Sequence, residues 1–188
     1  DNDERALICT RIIDDAGLPE DLRSEALVNR GIVYLEEDRL DLAMADFEQA
    51  IAFNPTYPAA HAYRGEVHKA KGQLAEALAD YDRAISFFDE SADLFANRGE
   101  IHRLLGAADK AKADYEAAQE HAKEALRKDP RNEQAREIKD AAFRAGHTQV
   151  REEYVAAKRE EFRRWQESMK ELQVPWNQVI TEPDPEFW

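Results

Sequence analysis

With a single cysteine, Cys9, the chain has no means of forming an internal disulfide and no cysteine spacing that could hold a metal. Glycine and proline are scarce, at seven each in 188 residues, so few breakers interrupt regular structure. No apolar run approaches the ~20 residues needed to cross a bilayer, and no apolar signal-peptide core stands at the N-terminus. Basic charge is in deficit as well. Lys and Arg number 26 against 40 Asp and Glu, and the formal charge of −14 excludes a broad phosphate-backbone interface. Nucleic acid, an anionic membrane surface and membrane insertion are therefore not expected.

What remains is 43% hydrophobic, enough to bury a core, within a composition rich in Ala, Glu, Asp, Leu, Arg and Lys. That mixture suits packed helices with charged outer faces, and no strands are expected. The same words recur at a spacing of 34 residues: Arg30-Gly31, Arg64-Gly65 and Arg98-Gly99. Downstream, again 34 apart, stand Ala45-Asp46-Phe47, Ala79-Asp80-Tyr81 and Ala113-Asp114-Tyr115, then Ala50, Ala84 and Ala118. Apolar residues within a unit keep helical spacing, as in Leu27, Gly31, Tyr34 and then Ala43, Phe47, Ala50, Ile51. Two helices per unit follow, joined at Asp38-Arg39-Leu40, Gly72-Gln73-Leu74 and Gly106-Ala107-Ala108, and Asn54-Pro55 stops the second helix of the first unit. A small residue at each crossing lets paired helices approach, with Phe or Tyr of the next helix filling the gap.

These residues resemble the tetratricopeptide repeat (TPR). The pattern fits 24–57 almost completely; in 58–91 and 92–125, His68 and His102 replace the first aromatic, and Asp89 and Lys123 stand where a closing Pro belongs. The resemblance implies an all-α, right-handed helical solenoid of helix-turn-helix repeats. Residues 1–23 are expected to form an N-terminal capping helix, with Cys9, Ile13 and Ala16 in the places of Ala43, Phe47 and Ala50. Repeats occupy 24–57, 58–91 and 92–130, the last with its second helix extended some seven residues towards Asp129-Pro130. A capping helix over 131–147 follows, with Ala135, Ile138, Ala142 and Phe143 inward and Gly146 ending it. A long C-terminal helix spans 148–173, and residues 174–188, with three Pro and no helical period, read as an extended tail. The stretch from Cys9-Thr10 to Asn29-Arg30-Gly31 is also similar to small bacterial members of the family, many of them exported. The start at Asp1 without Met points to a removed leader or a trimmed chain, and the bacterial periplasm is favoured over the cytoplasm.

In the family the first helix of each unit lines the concave face that receives peptides. That carries to Glu25, Val28, Asn29, Ile32 and Leu35, to Ala59, Ala62, Tyr63, Glu66 and Lys69, and to Asp93, Ala96, Asn97, Glu100 and Arg103. Asn29 and Asn97 hold equivalent places, where an amide can both donate to and accept from a peptide backbone. Tolerated surface residues are the plainer account of them. Chaperone-binding members grip a C-terminal carboxylate with Lys, Asn and Arg where this chain has Val28, Ile32, Tyr63, Asp93 and Asn97. That clamp is absent, and the mixed apolar and acidic lining suits a ligand with apolar anchors and Lys or Arg.

The recurrent Arg and Asp, Arg30 with Asp46, Arg64 with Asp80 and Arg98 with Asp114, read as structural salt bridges, because a functional site rarely repeats three times. His68 and His102 lack a third ligand, so no metal site is assigned. With no Gly-rich phosphate loop, nucleophile elbow or His-Glu-x-x-His, and with the carboxylates read as spread over helix exteriors without apolar pockets to raise a pKa, no catalytic residue, enzyme activity or cofactor is expected. On the long helix, Val155, Phe162, Trp165, Met169 and Leu172 form a narrow seam interrupted by Lys158. That seam, with Trp176, Ile180, Phe187 and Trp188 of the tail, is the candidate surface for self-association or tail docking. The expected function is a non-catalytic scaffold or adaptor binding a protein or peptide partner; the alternative is a homo-oligomer assembled through the C-terminal helix.

Overall fold

The computed structural model describes residues 2–171. These form eight α-helices: α1 (Asn2–Asp14), α2 (Glu20–Glu36), α3 (Leu40–Phe53), α4 (Pro58–Ala70), α5 (Leu74–Phe87), α6 (Ala92–Leu104), α7 (Ala108–Lys128) and α8 (Glu133–Glu171). The chain divides into two compact units, Asp1–Phe143 and Arg144–Trp188. In the first, α2 pairs with α3, α4 with α5 and α6 with α7, while α3 packs on α4, α5 on α6 and α1 on α2. Each pair is a helical hairpin of the predicted 34-residue period, and each stacks on its neighbours in sequence. The described part of the second unit is the remainder of α8.

The hairpins close on three glycines. A methyl group added at Gly31 would lie 2.5 Å from Phe47 Cε1, at Gly99 3.0 Å from the Tyr115 ring, and at Gly65 3.3 Å from both Tyr81 and the Asp80 Cβ. Phe47 and Tyr81 are fully buried and Tyr115 nearly so, with Ala43, Ala50, Ala77, Ala84, Ala111 and Ala118 equally buried around them. Each aromatic ring thus occupies the volume that a side chain on the partner helix would otherwise claim, at the density of a native interior.

Beside each glycine, the preceding arginine forks onto the aspartate of the second helix. Arg30 Nε and Nη2 donate to Asp46 at 2.8 and 2.7 Å, Arg64 to Asp80 at 2.9 and 2.6 Å, and Arg98 to Asp114 at 3.0 and 2.6 Å. All three aspartates are buried. The hydrogen bonds to these carboxylates raise the pKa of each arginine above its ordinary value, against the opposing effect of burial. The arrangement answers the need of a buried carboxylate for a counter-charge with matching donors.

The turns inside the hairpins share one backbone solution. Gly72 and Gly106 take φ of 73° and 72°, and Asp38, at the equivalent place, takes 58°. Gly72 and Gln73 N–H donate to the carbonyls of Lys69 and His68, and Gly106 and Ala107 to those of Arg103 and His102, the Schellman closure of a helix by a left-handed residue.

Three expectations are corrected. α1 ends at Asp14, leaving Ala16 exposed rather than buried like Ala50, because the Asp15 carboxylate accepts the Gly17 N–H and turns the chain towards Pro19. α8 runs unbroken through Gly146, where two helices were expected. Glycine lowers helix propensity but keeps its N–H for the ladder, unlike proline, so it weakens the helix without breaking it. Phe143, expected inward, is 50% exposed, while its neighbours Ala135 and Ala142 are buried.

Glycine substitutions separate the two roles. Gly31→Ala is expected to lower stability by about 1–3 kcal/mol through overpacking against Phe47. Gly146→Ala, whose added methyl meets nothing within 4 Å, is expected to stabilise α8 by up to about 1 kcal/mol. Thermal denaturation followed by circular dichroism reads both, and a neutral Gly31→Ala would show that the crossing is looser than described.

Candidate functional site

The first helices of the second and third hairpins, α4 and α6, bound a pocket of about 450 Å³. Tyr57, Pro58, Ala59, Ala62, Tyr63 and Glu66 come from α4 and the residue before it. Asp93, Leu94 and Asn97 come from α6, Phe88 and Ser91 from the connection between hairpins, and Gln134 from the first turn of α8. Pro58 fits the opening position of α4, where its missing N–H would have had no intrahelical acceptor. From there, residues at helical spacing along α4 present Ala59, Ala62, Tyr63 and Glu66 on one face.

Tyr63 stacks on the Phe47 ring at 5.8 Å between centroids, which ties the pocket wall to the core of the first hairpin. Burial, and then the nearby charges of Asp93, Glu66 and Glu36, raise the Tyr63 hydroxyl above its usual pKa. The Tyr57 hydroxyl is raised by burial and by Glu25. Glu66 is held from behind: the Tyr81 hydroxyl of α5 donates to its carboxylate, and Lys69 one turn on pairs with it at 2.5 Å. One period later Tyr115 donates to Glu100 at 3.1 Å and Arg103 forks onto the same carboxylate at 2.8 and 2.7 Å. The Arg103 hydrogen bond holds the Glu100 carboxyl below the ordinary range. Burial beside Glu100 pushes the Tyr115 hydroxyl up to about 12.

Asp93 is the other charged residue of the lining. Burial raises its carboxyl above the ordinary range, and the amide of Gln134, donating at 3.1 Å, offsets part of that. Among the described residues no Lys, Arg or His pairs with it.

Of the groove residues read from the sequence, Tyr63, Glu66 and Asn97 meet in this pocket, together with Ala59, Ala62 and Asp93. Asn29 is exposed on α2 and Ile32 packs partly against the core, neither of them lining the pocket. Val28 is a correction: at 3% exposure it belongs to the buried core cluster of the first hairpin rather than to a ligand-facing surface. Glu100 and Arg103 lie one turn and two turns beyond Asn97 along α6. Phe162, Trp165 and Met169 fall on α8, but their side chains, like the whole of Trp176, Ile180, Phe187 and Trp188, lie outside the described residues.

Reading the sequence missed Tyr57, Pro58, Phe88, Ser91, Leu94 and Gln134, which come from element ends rather than from a helix face. The signal for Phe88 was present, since a large apolar residue between two helices has no core position to fill; it is 49% exposed. His68 and His102 sit 3.8 and 3.7 Å from Asp80 and Asp114, beside the Arg–Asp forks. Among the described residues no three His, Cys, Asp or Glu side chains gather as a metal would require, and no helix is long and apolar enough to cross a membrane.

Two family models match, one described as a TPR repeat over residues 31–72 and one as a tetratricopeptide repeat over 92–123. The chain carries tetratricopeptide repeats over these residues. No curated protein matches. Solved structures of the same fold include the Sgt2 TPR domain from Aspergillus fumigatus, at 20% identity and TM-score 0.59, covering 72% of this chain and 82% of that one. PcrH in complex with the chaperone binding region of PopD aligns at 16% identity and TM-score 0.61, over 69% of this chain and 92% of that one. The first TPR of Spaghetti (RPAP3), bound to the HSP90 peptide SRMEEVD, aligns at 20% identity and TM-score 0.52, over 66% and 94%. These likenesses establish the right-handed TPR solenoid.

The raised pKa of Asp93 fixes a pH dependence. The folded chain holds this proton more tightly than the unfolded chain, so the associated stability is full below the unfolded value and is lost as pH rises through the folded one. The melting temperature of Asp93→Asn relative to the parent is therefore expected to move in favour of the variant between about pH 4 and about pH 7. A difference independent of pH would show that the carboxylate is as well solvated in the fold as outside it.

Proposed function

We propose that this TPR protein is a non-catalytic adaptor that binds an extended or helical segment of a partner protein along the first helices of its hairpins. The units are taken as residues 24–57, 58–91 and 92–130. The observation that carries the reading is the pocket between α4 and α6. It combines apolar walls from Tyr57, Tyr63, Phe88 and Leu94 with the amide of Asn97, the composition of a site that takes side-chain anchors while bonding a backbone. The peptide complexes of PcrH and Spaghetti, which share the fold, support the same class of ligand.

The chaperone-tail mode is not favoured. Val28, Ile32, Tyr63, Asp93 and Asn97 supply no cation where a carboxylate clamp needs several, and Asp93 would repel one. Self-association through Phe162, Trp165 and Met169 remains the alternative assembly role, resting on side chains outside the described residues.

Selection of a random twelve-residue peptide library displayed on phage, against the whole chain, tests the reading. Selected peptides are expected to lose at least tenfold in affinity, about 1.4 kcal/mol, for the double variant Tyr63→Ala, Asn97→Ala. They should bind Glu116→Ala, a change at an exposed position of α7, as they bind the parent. The acidic peptide SRMEEVD should bind more weakly than the selected ones. Equal binding to the parent and to the double variant, with its helical circular dichroism retained, would overturn the assignment.

A further inference from the structure

Both charged residues in the lining of the α4–α6 pocket, Glu66 and Asp93, are acidic, and they differ in how their charge is met. Glu66 is already engaged by Lys69 and by the Tyr81 hydroxyl. Among the described residues Asp93 is met only by the neutral amide of Gln134, itself part of the lining, although it is half-buried. A carboxylate taken partly out of water without a cation is held at a cost, and that cost is relieved by whatever brings the missing charge.

The walls suit such a charge. Tyr57, Tyr63 and Phe88 line the same space, and aromatic rings beside a carboxylate attract an ammonium or guanidinium through the ring quadrupole as well as through the ion pair. They also cover the aliphatic stem of a long basic side chain. The wider field has the same sign, since the charges reaching Tyr57 and Tyr63 come from Glu25, Glu36, Glu66 and Asp93. A chain of formal charge −14 would in addition draw a basic segment towards itself.

We propose that this pocket is a receptor for a lysine or arginine side chain of the partner segment, with Asp93 as its counter-charge, Gln134 positioning that carboxylate, and Tyr57, Tyr63 and Phe88 enclosing the stem. The inference rests on the adaptor reading and specifies the chemistry of its ligand: a basic anchor flanked by apolar residues, opposite in charge to the acidic tail SRMEEVD carried by the Spaghetti complex.

Peptides from the phage selection, resynthesised with a fluorescent label, serve as the probe, each in its selected form and with every Lys or Arg replaced in turn by Gln. Fluorescence anisotropy is measured against the parent, Asp93→Asn and Asp93→Glu. In the expected result, one basic position loses at least tenfold in affinity on replacement when tested with the parent. It loses less than about twofold with Asp93→Asn, and Asp93→Glu, which keeps the charge, restores the discrimination. Peptides that depend on Tyr63 but carry no such position, or whose basic residue loses the same factor with Asp93→Asn, would overturn the inference and leave the adaptor reading standing. Should no selected peptide depend on Tyr63 and Asn97, both would fall.

Discussion

The close approach of paired helices at Gly31, Gly65 and Gly99 is the constraint on which the rest of the array depends. With a hydrogen in place of a side chain, the first helix comes near enough for Phe47, Tyr81 or Tyr115 of the second to fill the crossing. The same approach brings the neighbouring arginine within reach of a buried aspartate, so a steric condition and an electrostatic one are satisfied by adjacent residues. It also lets a hydroxyl at the tip of Tyr81 or Tyr115 pass through the hairpin and hold a glutamate on the far side. The surface that carries Glu66 and Glu100 is thereby fixed from the core outward.

Much of this was legible before any coordinates. A 34-residue period carrying Arg-Gly and Ala-Asp-aromatic words dictates hairpins, and the Arg–Asp partners follow from the spacing of 16 that both words keep. Tyr63, Glu66 and Asn97 were expected together because the family resemblance places the first helix of each unit along one face, and the three do line one pocket. The burial of Val28 was not legible, because its place in the core cluster of the first hairpin is one that the repeat pattern by itself does not reveal. Gly146 misled for a different reason. Whether a glycine ends a helix depends on the competition between chain entropy and the continued hydrogen-bond ladder, and composition alone does not decide it.

The pocket's other contributors escaped because they come from helix ends and connections, where no period operates. Phe88 and Ser91 are brought to α4 and α6 by the stacking of successive hairpins, and Gln134 joins them from the first turn of α8. The tyrosine tethers, by contrast, left a trace in the sequence. Where the second helix carries Phe47, the matching position of the first is Ile32; where it carries Tyr81 or Tyr115, the matching position is Glu66 or Glu100. The hydroxyl and the carboxylate arrive together.

Each of these partnerships, the Arg–Asp fork and the tyrosine tether alike, is completed inside one hairpin. A hairpin consequently carries its own Arg–Asp fork, although Arg98 Nη1 also donates to Asp82 of the preceding hairpin at 2.8 Å. Recombination that duplicates or removes one 34-residue block would leave no buried carboxylate of these pairs stranded, whereas a cut through the middle of a hairpin would part the buried aspartate from its arginine. Array length can then change in whole steps, and a new binding face can arise from copies whose interiors are already solved.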